Sequence, residues 1–166
     1  VMIHAIGENS NTNTIDAFNY AAAKNGPRDR RFRIEHFHRT RRSDILRLSR
    51  STIIASMQPY LFFREGTGGG DDFPVIFRSG ARIAFGSDAS MVDINPMLGI
   101  HAAVSSGSRS ISVDTAVSAY TLGSAYAEFQ EREKGTITVD KLADLAILSD
   151  DIFAIDPAKI RNTTVV

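Results

Sequence analysis

The chain has 166 residues, 43% of them hydrophobic and 23% charged, with 19 basic residues against 19 acidic ones and no cysteine. This is enough apolar chain for one globular domain with a core, and the balance of charge gives no overall field for nucleic acid or an anionic membrane. Disulfides, thiolate metal sites and a cysteine nucleophile are excluded.

No apolar run approaches the ~20 residues of a membrane span, and no basic-then-apolar signal segment opens the chain. The expectation is a soluble, cytoplasmic protein with neither nucleic-acid nor membrane partners. Val1-Met2-Ile3 already reads as a core strand without a lead-in, as if the chain began inside a larger fold.

In chain order, short apolar runs alternate with helix-length segments, the mark of βα units and a parallel sheet. Strands are expected over residues 1–5, 32–36, 52–57 and 82–86. The first leads through a polar loop, 7–11, to a helix over 14–24 capped by Asn13 or Thr14 and ended by Asn25-Gly26-Pro27. A second helix is expected over 43–48 with Ser43 as N-cap. Nine arginines stand between positions 28 and 50 against Asp29, Glu35 and Asp44, so this stretch is net +6 and the rest net −6. A solvated face or an interface is the plain reading, and an anion-binding module is the other.

Residues 60–70 read as a long loop with a glycine run at 66–70, followed by a helix that Asp71 or Asp72 caps. The Lys-Ser/Thr of a phosphate-binding loop is absent, so a lid or a plain loop is expected. Helices follow over 96–105 and 112–130, the latter capped by Ser112. After the charged break at 131–135, segments 137–139, 143–148 and 163–166 read as strands of a small β element.

The strand ends carry the chemistry. The first delivers His4, the second Glu35-His36 and the fourth Asp88. Imidazole and carboxylate are ligands of Zn²⁺ and similar ions, and separations of 32 and 52 residues suit ligands from different strands rather than a zinc finger. Each has an ordinary alternative: a structural histidine, or an aspartate that caps a helix or pins a turn. His38 is an extra histidine with two readings, facing the site or, before that, lying on the surface, and His101, in a helical pattern, is assigned to packing or solvent.

His4-Ala5-Ile6-Gly7, Arg33-Ile34-Glu35-His36, Phe85-Gly86-Ser87-Asp88, Ala119-Tyr120-Thr121 and Lys134-Gly135-Thr136-Ile137, followed by Lys141-Leu142-Ala143-Asp144-Leu145, together resemble the amidohydrolase superfamily. The resemblance is to its YtcJ-like, N-substituted formamide deformylase-like ("amidohydrolase 3") branch, C-terminal part only, and it keeps motif order over nearly the whole chain. It implies an α/β fold: strands five to eight of a metal-dependent hydrolase (β/α) TIM barrel over 1–132, and part of a small β-sandwich over 133–166. It implies His4, His36 and Asp88 as ligands of a divalent metal, most often zinc. It also implies Asp88 as the catalytic proton carrier and Glu35 as a residue orienting its neighbour.

The activity implied is hydrolysis of amide-type C–N bonds in a small-molecule substrate. The superfamily's His-x-His strand and its strand-four lysine or glutamate have no counterpart, and Glu8 stands where aspartate is usual. The expected partner is therefore the missing N-terminal half or further copies in a homo-oligomer. The alternative is a catalytically inactive half barrel that associates through its sheet edges.

Overall fold

The computed structural model describes residues 1–64 and 73–166. The glycine run at 66–70 and the candidate caps Asp71 and Asp72 lie outside the described residues. In chain order the elements are β1 (Met2–Ile6), α1 (Glu8–Lys24), β2 (Arg33–His38), α2 (Arg42–Ser49), β3 (Ile54–Met57), α3 (Pro59–Arg64), α4 (Phe73–Arg78), β4 (Arg82–Phe85), α5 (Pro96–Val104), α6 (Val113–Ser118) and α7 (Ser124–Ala127). They fall into two compact units, residues 1–57 with 73–83 and residues 58–64 with 84–166.

The first unit is α/β. β1 pairs with β2 and β2 with β3, both in parallel, and β4 follows β3 in the sheet order. Ile34, Ile54 and Ala55 are wholly buried, as are Ile15 of α1 and Leu48 of α2. Each helix therefore turns one apolar stripe inward. Phe18 stacks on Phe32 at 4.5 Å between ring centroids, a pairing worth about 0.5–1.5 kcal/mol beyond area burial.

The four strands expected up to residue 86 are present, but three local features differ. α1 begins at Glu8, through the expected polar loop, because Gly7 at φ +92° turns the chain at once and its carbonyl accepts the first helical bond from Asn11 N at 3.0 Å. Only glycine adopts that φ freely. Asn11 is buried as a result, and its Nδ2 donates to the His38 carbonyl at 3.0 Å. α2 begins before Ser43: Arg41 occupies the cap position, without a side-chain cap bond. β2 runs two residues past His36, to His38.

In the second unit α5 starts as the sequence dictates. Asn95 Oδ1 accepts from Met97 N at 3.0 Å and Pro96 fills the first helical position. α5 packs against α3 and against a 3₁₀ turn, Pro157–Asn162, whose Ile160 is fully buried. α3 replaces part of the expected loop, its Leu61 and Phe62 clustering with Val92. Ser112 caps α6, accepting from Thr115 N at 3.2 Å, and α6 runs through a π-helical turn, Ala119–Gly123, into α7. The C-terminal strands form no ladder among the described residues. An isolated antiparallel bridge joins Leu148 to Val165, flanked by backbone bonds from Ser149 N to Thr164 O and Val166 N to Ile147 O, both 2.9 Å. Ile137 and Val139 have strand composition but are 90% and 87% exposed, and an apolar run without a ladder partner gains nothing from extending.

Candidate functional site

The site begins in the ladder between β1 and β2. His4 pairs with Glu35 and Ala5 with His36, so regular alternation would place the two histidine side chains on opposite faces. The register then shifts: Ile6 pairs with His38, and Phe37 is the extra residue of a β-bulge. His36 and Phe37 adopt φ of +76° and +48°, a region that non-glycine residues rarely enter. A bulge re-aims side chains, and here the imidazole of His36 turns to meet that of His4, with ring centroids 4.4 Å apart and planes at 74°. His36 is buried and His4 exposed, so the pair reaches from the core to the surface.

Asp88 belongs to the second unit. It too has positive φ, +63°, and its carbonyl pins the following turn by accepting from Met91 N at 2.8 Å. Its carboxylate forms no hydrogen bond with any described residue, so it acts neither as a helix cap nor as a turn brace; Asn95 caps α5 instead. The strand end before it is held from the π-helical turn. Tyr120 OH donates to Gly86 O at 3.3 Å, and Ser124 Oγ donates to Phe85 O at 2.9 Å. Burial pushes the Tyr120 phenol above its ordinary pKa, which keeps it a neutral donor. Gly99 makes room for it: a Cβ there would stand 1.7 Å from the Tyr120 hydroxyl. The roles of Tyr120, Ser124 and Gly99 carry no local sequence signal, since each acts through a contact with residues far away in sequence.

The remaining candidates have plainer surroundings. Glu35 Oε1 accepts from Arg33 Nε at 2.5 Å. His38, expected on the surface, is 2% exposed, because the bulge carries β2 two residues deeper into the fold. His101 packs as expected, its Nδ1 3.1 Å from Pro157 O and its ring edge-on to Phe63. Much of the arginine stretch is paired internally: Arg31 with Asp29 at 2.9 Å, Arg41 with Glu8 at 3.1 Å, and Arg47 with Asp44 at 3.1 Å and with Asp16. Its hydrogen bond to Asp16 in particular raises the Arg47 guanidinium above its ordinary pKa.

Donor chemistry decides how far these residues suit a divalent ion. The two imidazoles, with centroids 4.4 Å apart, bring nitrogen donors of the kind zinc takes into one neighbourhood. No group of three or more His, Asp or Glu side chains arranged to hold a metal occurs among the described residues. The pair offers the right donor chemistry; among the described residues the complete ligand set is not gathered there.

Comparison with known proteins agrees with this chemistry. The sequence profile described as "Amidohydrolase family" matches residues 1–166. The chain is 34% identical over 171 aligned positions to Protein LONG AFTER FAR-RED 3 of Arabidopsis thaliana, covering 90% of this chain and 29% of that one. It is 30% identical over 191 positions to the protein YtcJ of Bacillus subtilis (strain 168), covering 97% and 34%. It thus spans about a third of the length of these relatives. The fold is shared with an uncharacterised metal-dependent hydrolase of Pyrococcus horikoshii, at TM-score 0.80 and 22% identity over 95% of this chain and 35% of that one. It is shared too with an adenosine deaminase of Xanthomonas campestris holding zinc, at TM-score 0.73 and 17% identity over 99% and 42%. A profile that matches residues 1–166 leaves one conclusion: the chain belongs to the amidohydrolase family.

Proposed function

We propose that the chain forms part of a metal-dependent hydrolase acting on amide-type C–N bonds of small molecules. In this reading residues 1–132 are strands five to eight of a (β/α)8 barrel with their helices, and 133–166 belong to a small β-sandwich. The observation that carries it is the His4–His36 pair at the ends of adjacent parallel strands, turned together by a bulge, in a chain of this family. His4 and His36 hold the divalent ion, zinc before others, and Asp88 supplies the carboxylate ligand. When bound, the ion polarises the carbonyl and lowers the pKa of water to about 7. Asp88 takes a proton from the attacking water and delivers it to the departing nitrogen. The water oxygen ends on the carbonyl carbon, the C–N bond breaks, and the products are a carboxylic acid and an amine. Glu35, next to His36, orients that ring. The test is a panel of simple amides and N-formyl amines with and without added zinc. Zinc-dependent turnover lost in Asp88→Asn supports the reading, and turnover indifferent to both zinc and Asp88 overturns it.

A second reading is favoured by the sheet edge. β1 is terminal in the strand order, and its Met2 and Ile6 are 61% and 37% exposed. An uncovered edge strand pairs readily with another chain. Here the chain is inactive alone and associates through that edge, with further copies or with a segment supplying the remaining barrel strands. Analytical ultracentrifugation separates the cases: association favours this reading, and a monomer at every concentration rules out self-pairing.

A further inference from the structure

We propose that the cleft between α2 and α4 binds a small organic anion, a carboxylate or a phosphate monoester, carrying a short apolar tail. The cleft has a volume of about 200 Å³ and is lined by Arg42, Ile45 and Leu46 on one side and Val75, Arg78 and Ser79 on the other. Two guanidinium groups and three aliphatic side chains thus share the lining, with no acid among the described residues that line the space. Neither Arg42 nor Arg78 forms an ion pair with a described residue, whereas Arg41 and Arg47, beside and within the same helix, do. The acid of α2 cannot serve them: Asp44 is 1% exposed and is occupied by Thr12 Oγ1 at 2.6 Å and Arg47 at 3.1 Å. Ser79 is committed as well, its Oγ donating to Ile76 O at 2.7 Å and accepting from Ala81 N at 3.2 Å. The two guanidinium forks are the remaining donors.

The combination selects the ligand. An inorganic ion would leave Leu46 and Val75 wet, and a neutral apolar molecule would leave both guanidinium groups unused. A carboxylate or a phosphate monoester satisfies the forks while its tail covers the aliphatic wall, including Leu46, which is otherwise half exposed. A cleft of about 200 Å³ suits a small acid.

Amide-resolved NMR titration of the whole chain tests this with four probes: hexanoate, phenyl phosphate, inorganic phosphate and 1-hexanol. The expected result is that hexanoate, phenyl phosphate or both shift the amides of 42–46 and 75–79, the stronger of the two identifying the acid group. Inorganic phosphate and hexanol bind at least about tenfold more weakly, and the double variant Arg42→Gln/Arg78→Gln loses about tenfold in affinity for the better acid. The proposal is overturned if neither organic acid perturbs these amides, if hexanol or inorganic phosphate matches them, or if the double variant binds as the parent does.

Discussion

The imidazoles of His4 and His36 meet edge-on at 4.4 Å, although regular pairing of their strands would send them to opposite faces of the sheet. The left-handed backbone of His36 makes the meeting possible, and its cost is measurable. With the ring removed in both cases, His36→Gly will be more stable than His36→Ala by about 1 kcal/mol, because only alanine pays for a Cβ at φ +76°. Urea denaturation of the two variants gives the difference; equal stability would mean that the backbone relaxes at no cost.

Gly99 and Tyr120 form a lock of a different kind. Gly99→Ala puts a methyl group 1.7 Å from the tyrosine hydroxyl and 2.7 Å from Cζ, so it will destabilise the protein by about 1–3 kcal/mol. In the Tyr120→Phe background the same change will cost less but still something, since the ring carbon remains. A double-mutant cycle by denaturation reads the coupling.

Tyr120 also sets an alkaline limit. Its folded pKa lies above the unfolded value of 10.0 because burial disfavours the phenolate. Its contribution is therefore fully present below pH 10 and is lost progressively above it, as the unfolded chain ionises first. Stability measured from pH 8 to 11 will fall above pH 10 more steeply in the parent than in Tyr120→Phe. Parallel curves would contradict the assignment.

Asp44 is the buried acid that fastens α2 to α1, through Thr12 Oγ1 at 2.6 Å and Arg47 at 3.1 Å. Asp44→Ala removes the acceptor that joins the two helices, leaving Arg47 with Asp16 and Thr12 with the Glu8 carbonyl of its own helix, and will cost about 1–3 kcal/mol in thermal or urea unfolding. The exposed neighbour Ser43, in Ser43→Ala, will cost within about 0.5 kcal/mol, since Arg41 and not Ser43 holds the cap position.

These contrasts show which parts of the structure are legible in sequence. The strands are, because runs such as Ile53-Ile54-Ala55 have one reading at that length, and so are the Asn95 and Ser112 caps, which act on their own helices. The two histidines are visible as strand-end residues. Their encounter is not, because it depends on a bulge at Phe37 that appears only once β1 supplies the register. The early start of α1 turns on one positive φ at Gly7, and the buried Asn11 and His38 follow from it and from the bulge. In the C-terminal segment, strand composition at Ile137 and Val139 misleads because pairing is a property of two segments, and among the described residues the pairing there is confined to the bridge at Leu148 and Val165 with its flanking bonds.

The central claim is that His4 and His36 are ligands of one ion, and calorimetric titration of the metal-free chain with Zn²⁺ tests it most directly. The account predicts one bound ion per chain in the parent and at least about tenfold weaker binding in each of His4→Ala and His36→Ala, with His101→Ala unchanged. Binding that is absent from the parent, or equal in parent and both histidine variants, would contradict it.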